Sequence, residues 1–302
     1  MRFSHELEEV LSQIPEGRVT TFGEVAKALG DVRASRAVSH FLAGNRQRSH
    51  RVVNAQGKAR PWQIESLKNE GIAVIDGRIR DLDHVVFRDF RAECPLKLLR
   101  KEQREVADGV VLEDGFEDVK NVCGFDLAYE DDRAVCAFAV VDVKNLDVIE
   151  KDVVVREIDF PYIPSYLTYR EYPAIRAAYE RVRSDVDVLL IDGHGYSHPR
   201  RAGIGCHVGV KLGKPTIGVA KSLLVGKTRT PSKVGDSERV LHNDETIGYA
   251  LRSSSSKKPI YVSPGHLVSF ESSVRIVKSL CKTRIPEPLR QAHLAATAGK
   301  RG

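Results

Sequence analysis

At 302 residues, with 42% hydrophobic and 29% charged residues, the chain has a globular composition and enough length for two domains, each with its own core. No apolar run approaches the roughly 20 residues of a membrane span, and Met1-Arg2-Phe3-Ser4-His5-Glu6 lacks the apolar core of a secretory signal, so a soluble, cytoplasmic protein is expected. Five widely spaced cysteines without a CxxC pair argue against a disulfide scaffold or a cysteine zinc site.

The front of the chain reads as helical. Leu7, Val10, Leu11 and Ile14 recur at helical spacing, and Pro15-Glu16-Gly17 ends that helix. Thr21 is placed to cap a second helix, with Glu24 completing a capping box. Gly30-Asp31 makes a turn, and Arg33 to Leu42 predicts the next helix. Two short helices about a tight turn, the second opening with Arg33 and Arg36, give a helix-turn-helix pattern. Arg51-Val52-Val53-Asn54 followed by Gly57-Lys58 predicts a short strand and turn that would form a wing, and Gln63 to Asn69 a last helix. Residues 1–85 are therefore expected to fold as a mainly α, winged helix-turn-helix domain. Seven Lys or Arg and no acid lie between Arg33 and Arg60, and five and none between Lys214 and Lys233, which points to two surfaces touching phosphate.

Asp81 to Arg91 is charged and aperiodic, which sets the boundary. A helix from Leu96 to Val110 follows, then strands over 122–129, 134–143 and 147–158 and a helix over 167–182. Val186 to Asp192 is an apolar run ending in an acid, as expected of a buried strand. A helix (203–212), a strand (216–220), two short strands (246–252, 260–262) and a helix (269–280) complete the pattern. This order predicts an α/β domain over 90–286, with a mixed sheet flanked by helices. The stretch 287–302, small and basic, reads as a flexible tail.

The chemistry concentrates in this second domain. Asp126 lies mid-strand in an apolar frame (Val122 to Ala128), where an acid is costly unless paired or ligated. Asp192 ends an apolar strand, and Glu171 lies on the helix between them. Carboxylates meeting at one point suit magnesium, and two divalent ions held this way can drive phosphodiester hydrolysis. Pro161 and Pro164 brace a short loop and would hold Tyr162 and Ile163 outward as a rigid wedge beside a displaced base. His194 and His198 could alternatively bind zinc, but a glycine lies between them and no third ligand completes the pattern.

These residues carry a family resemblance. Gly124-Phe125-Asp126, Pro161-Tyr162-Ile163-Pro164, Tyr169-Arg170-Glu171, Asp192-Gly193-His194-Gly195, His198-Pro199-Arg200-Arg201-Ala202-Gly203, Gly218-Val219-Ala220-Lys221-Ser222 and Ser263-Pro264-Gly265-His266 resemble the motifs of endonuclease V. That nuclease acts on deaminated bases and has a ribonuclease H-like fold. The resemblance implies that Asp126 and Asp192 ligate Mg2+ (or Mn2+ in its place), that Glu171 completes the site, and that Lys221 faces the scissile phosphate. It also implies that His266 lies near the metal centre. Pro161 to Pro164 would separate the strands, and Gly193, His194, Gly195 and His198 would form the lesion pocket, backbone amides approaching the base at the glycines. The expected reaction is hydrolysis of the second phosphodiester 3′ of hypoxanthine in damaged DNA, or of inosine in RNA.

Val19 to Ala26, Ser35-Arg36-Ala37-Val38 and His50-Arg51-Val52-Val53-Asn54 resemble the DNA-binding domain of O6-alkylguanine-DNA alkyltransferases, and more closely the alkyltransferase-like proteins. Ser49 stands where the alkyltransferases have their acceptor cysteine. A hydroxyl offers no thiolate, so alkyl transfer is expected to be absent, although His50 and Glu70 keep the positions of the activating pair. Arg36 would fill the gap left by a flipped base, and Phe22, Arg33, Ser49, His50 and Arg51 would complete the DNA contacts. The stretch between Asn45 and Ser49 is also shorter than in active alkyltransferases. A protein that only flags alkylated guanine is the reading from a different class.

Overall fold

The computed structural model describes residues 2–44, 49–256 and 258–300, and the elements below are those of the described residues. Residues 45–48 of the shortened stretch noted above lie outside them. The chain divides into two compact units: Met1–Lys101 with Asp159–Tyr166, and Glu102–Ile158 with Leu167–Gly302.

In the first unit, α1 (Phe3–Ser12) buries Phe3, Leu7, Val10 and Leu11, the stripe its spacing dictates. After β1 (Thr20–Thr21), Thr21 Oγ1 accepts from the Glu24 amide at 3.2 Å and caps α2 (Phe22–Ala28). Asp31 caps a 3-10 turn at Val32–Ala34 that leads into α3 (Ser35–Gly44). The segment expected to be a wing is not one. β2 (Val52–Val53) is fully buried and pairs parallel with β1, because both valines join the apolar core instead of alternating. After α4 (Pro61–Asn69), the hairpin falls at β3 (Val74–Ile75) and β4 (Arg78–Ile79). Asp76 and Gly77 turn it, both at positive φ (48° and 72°), the geometry an Asp-Gly pair favours. α5 (Leu82–Val85) follows, and Val19, Val53, Ala59, Leu67, Ile72 and Ile79 form one cluster of the core. The unit runs past residue 85 into α6 (Pro95–Asp108), since Leu96 is fully buried and its amide donates to Leu29 O at 2.9 Å.

The second unit is built on an eight-stranded sheet of order β10-β11-β12-β9-β8-β5-β6-β7. Its strands are β5 (Asn121–Glu130), β6 (Arg133–Asp142), β7 (Val148–Glu157), β8 (Val188–Asp192), β9 (Thr216–Ala220), β10 (Ser237–His242), β11 (Glu245–Leu251) and β12 (Ile260–His266). β5, β8 and β9 are parallel and the remaining pairs antiparallel. The helices are α7 (Leu167–Tyr179), α8 (Ile204–Leu212), α9 (Phe270–Ser279) and α10 (Glu287–Gly299). Alternation along the central strands sends Val188 and Leu190 into a core shared with Ile276, Val277 and Leu289. Leu189 and Ile191 enter the opposite core, with Ile175, Ile204 and Val208. No described helix is long and apolar enough to cross a membrane.

The expected flexible tail is instead α10. Leu289, Ala292 and Ala296 recur at helical spacing and are buried, and Glu287 is bonded by Arg290 and Gln291 in the first turn. Gly124 makes the packing possible: a Cβ there would lie 2.4 Å from the Pro288 carbonyl carbon and 2.6 Å from the Leu289 nitrogen.

Candidate active site

Register brings the aspartates together. β5 pairs β8 with Phe125 opposite Ile191, so Asp126 and Asp192 follow as neighbours where the two strands end their pairing, and Val219 of β9 sits opposite Asp192. Two residues beyond Val219, Lys221 reaches back, its Nζ 2.5 Å from Asp192 Oδ2. Glu171, 7% exposed on α7, accepts a hydrogen bond from Tyr129 at 2.5 Å, and the Arg170 guanidinium lies 4.4 Å from that ring's centre. Asp126 accepts from the Leu127 amide and pairs with His293 Nδ1 at 2.6 Å.

The electrostatics record a crowd of negative charge. Burial raises Glu171 to about 7, and the charges of Asp192 and Asp126 push the same way against the Tyr129 bond. Burial and then Asp126 raise Asp192 to about 6, with Lys221 opposing. Lys221 loses solvation, but Asp192 and Asp126 outweigh that and raise its pKa, so it stays an ammonium. Among the described residues no three His, Cys, Asp or Glu side chains stand close enough together to hold a metal as they are. Lys221, His293 and Tyr129 each cover one carboxylate.

These shifts set a pH dependence. The folded protein holds protons on Glu171 and Asp192 that the unfolded chain releases near about pH 4, so their protonation favours folding at low pH. That contribution is lost as pH rises from about 4 to about 7. In EDTA, the Tm of the parent should fall across this window more steeply than that of Glu171→Gln. A parent profile matching that of the variant would contradict the assignment.

Several expectations are corrected. His266 does not join the carboxylates. It pairs with Thr216 at the far end of β9, three residues from Val219, or about 10 Å along the strand, and its Nδ1 accepts from the Val111 amide at 3.2 Å. His293, read as part of a flexible tail, occupies the position beside Asp126 instead. The amides of Gly193 and Gly195 are not open to a base, since they donate to Val219 O (3.1 Å) and Ser263 Oγ (3.0 Å). Gly195 is there for close packing: a Cβ on it would lie 2.2 Å from Pro264 O. His198 is buried in its turn, with Nδ1 accepting from the Arg200 amide at 3.2 Å. His194 is pushed down to about 4 by burial, so it is neutral, and its Nδ1 is buried without a partner among the described residues.

In the strip belonging to the first unit, Tyr162 is 61% exposed as expected, but Ile163 is fully buried and points inward. Pro161 is half-buried and Pro164 exposed. In the same unit Arg36 is exposed on α3 and Phe22 half-buried, whereas two arginines expected at DNA are engaged internally. Arg33 is bound to Asp31 at 2.7 Å, and Arg51 bonds Glu70 and Ile14 O. His50 lies 2.6 Å from Glu70, whose acidity burial opposes but the bonds from Arg51 and His50 hold at about 2. Ser49 is 2% exposed, and its carbonyl accepts from Gln63.

The family model described as Endonuclease V matches residues 104–294. That of the 6-O-methylguanine DNA methyltransferase, DNA binding domain, matches residues 2–71. A Picrophilus torridus protein described as a bifunctional methyltransferase/endonuclease is 36% identical, over 98% of this chain and 96% of that protein. The crystal structure of endonuclease V from Streptomyces avermitilis superposes with a TM-score of 0.65 at 34% identity, over 68% of this chain and 92% of that one. The Ciona intestinalis enzyme, bound to a 24mer DNA containing an inosine followed by a ribo-adenosine, gives 0.62 at 28% identity, over 68% and 98%. Fold, site and likeness together define a DNA repair endonuclease with a fused damage-sensing domain. The chain belongs to the endonuclease V family.

Proposed function

We propose that the larger unit cuts DNA at the second phosphodiester 3′ of a deaminated adenine, leaving a 3′-hydroxyl. The observation that carries this reading is the pairing that sets Asp126 and Asp192 side by side on parallel strands, with Lys221 on Asp192 and the buried Glu171 of α7 feeling the charge of both aspartates. Such a set of buried carboxylates, short of positive charge, suits a hard divalent cation, Mg2+ with Mn2+ in its place. Asp126 and Asp192 would hold it, and Glu171 would complete the site. When bound, the ion supplies an activated water and compensates charge on the leaving oxygen. The protein does the rest. Lys221, an ammonium at neutral pH, offers fixed positive charge to a phosphate oxygen. His293 orients Asp126.

The N-terminal unit, in this reading, is a winged helix-turn-helix that engages a damaged base through α3 and does not repair it. Arg36, exposed on that helix, is the residue free to enter the duplex, and Ser49 is the reason no alkyl group is accepted. Incubation with O6-methylguanine DNA should leave the protein unmodified by mass. Arg36→Ala should weaken binding to that DNA about ten-fold, as expected for losing a charged contact. A methylated protein, or equal affinity for alkylated and plain duplex, would remove this part of the reading.

A second substrate, inosine in RNA, is favoured by the ribo-adenosine that follows the inosine in the Ciona complex. Matched hypoxanthine-containing DNA and RNA strands, compared by kcat/KM, separate the two. A higher value for DNA supports the proposal, and a higher value for RNA moves the function to an endoribonuclease.

A further inference from the structure

The strip that carries Tyr162 belongs to the N-terminal unit, although β7 and α7 of the larger unit flank it in sequence. Its anchoring there is extensive. Phe160 is buried edge-on against Phe3, ring centres 5.9 Å apart, and the Phe3 amide donates to Asp159 O. Ile163 and Tyr166 are fully buried, leaving Tyr162 as an exposed aromatic tip between buried residues. The Tyr166 hydroxyl donates to Asp31 Oδ2 at 2.7 Å, and the same carboxylate binds the Arg33 guanidinium and caps the turn into α3. Arg33 in turn donates to Ser165 Oγ at 2.9 Å, where Ser165 sits at φ 65°, a left-handed backbone that a side chain must help to hold.

From this we propose that Asp31, Arg33 and Tyr166 are positioning residues for Tyr162, so that the N-terminal unit carries the strand-separating wedge. One buried carboxylate ties the start of α3, which bears Arg36, to the strip, which bears Tyr162. The helix offered to a damaged base and the tip inserted into the stack therefore present themselves to DNA as parts of one body. The fused domain is then part of the machinery that opens a duplex, beyond any lesion preference of its own. This inference rests on the nuclease reading above.

The test uses the full-length protein and two substrates, hypoxanthine in a duplex and hypoxanthine in a single strand, where no strand separation is required. Tyr166→Phe removes only the hydroxyl. It is expected to slow duplex nicking about ten-fold, the value of one hydrogen bond to a charged partner, with single-strand nicking unchanged. Tyr162→Ala should show the same selectivity, and adding Tyr166→Phe to it should cost nothing further. 2-Aminopurine beside the lesion should brighten on binding the parent and stay dim with either variant. Equal losses on both substrates, additive losses in the double variant, or a Tyr166→Phe protein matching the parent would overturn the inference. A parent that cuts neither substrate overturns the nuclease reading itself, and this inference with it.

Discussion

Asp126→Ala should abolish nicking, with a loss of about 1,000-fold or more, while the protein stays as stable as the parent or becomes more so. Asp126 is buried mid-strand between apolar neighbours, and its charge raises the pKa of Asp192 and Glu171. Removing it relieves repulsion among buried carboxylates, which offsets the loss of its bonds with the half-exposed His293 ring and the Leu127 amide. The same charge is what a phosphodiesterase centre of this kind needs, and losing one preorganised electrostatic element commonly costs about 3–4 kcal/mol of transition-state stabilisation. Opposite signs for activity and Tm are the diagnostic, read by nicking rate and thermal melting. A variant that is inactive because it is unfolded, or that cuts as well as the parent, would remove Asp126 from the centre. Asp192→Ala should behave alike, with the complication that Lys221 loses its partner.

Gly124→Ala should lower both stability and activity. The added methyl would meet the backbone of Pro288 and Leu289 at 2.4–2.7 Å, where no side chain can swing away. Either the first turn of α10 lifts or β5 deforms, at about 1–3 kcal/mol for overpacking of this sort. Lifting α10 withdraws His293 from Asp126. His293→Ala, by contrast, removes a largely exposed ring and should leave Tm near the parent's while slowing nicking about 10- to 100-fold, as for a residue that orients a reacting group. If Gly124→Ala lowers Tm yet cuts like the parent, α10 is not required for the site.

Much of this arrangement was legible because β-structure obeys a period of two. The apolar frame around Asp126 specifies a buried strand with an acid in its middle and the apolar run before Asp192 one with an acid at its end, and the parallel pairing of the two strands sets the acids side by side. The exposed Tyr162 followed from its bracing prolines. Ile163 did not, because a proline-flanked loop has no period to say which side chain turns inward. His266 was set near the metal centre by resemblance alone, whereas its strand runs four residues beyond the apolar segment 260–262, past a register shift at Pro264, and delivers it to the opposite end of β9. The largest omission was α10. Alanine-rich, basic stretches resemble disordered tails in composition, and only the spacing of Leu289, Ala292 and Ala296 marked a buried face. The glycines after Asp192 signalled close approach correctly, but the partners approached are the Ile204 side chain at Gly193 and the Pro264 backbone at Gly195.

The most direct test of the central claim is the cleavage map of an end-labelled duplex carrying a single hypoxanthine, with magnesium and with EDTA. The expected result is one magnesium-dependent nick at the second phosphodiester 3′ of the lesion, ending in a 3′-hydroxyl and absent from the unmodified duplex. Cleavage that persists in EDTA, or that ignores the lesion, would contradict it.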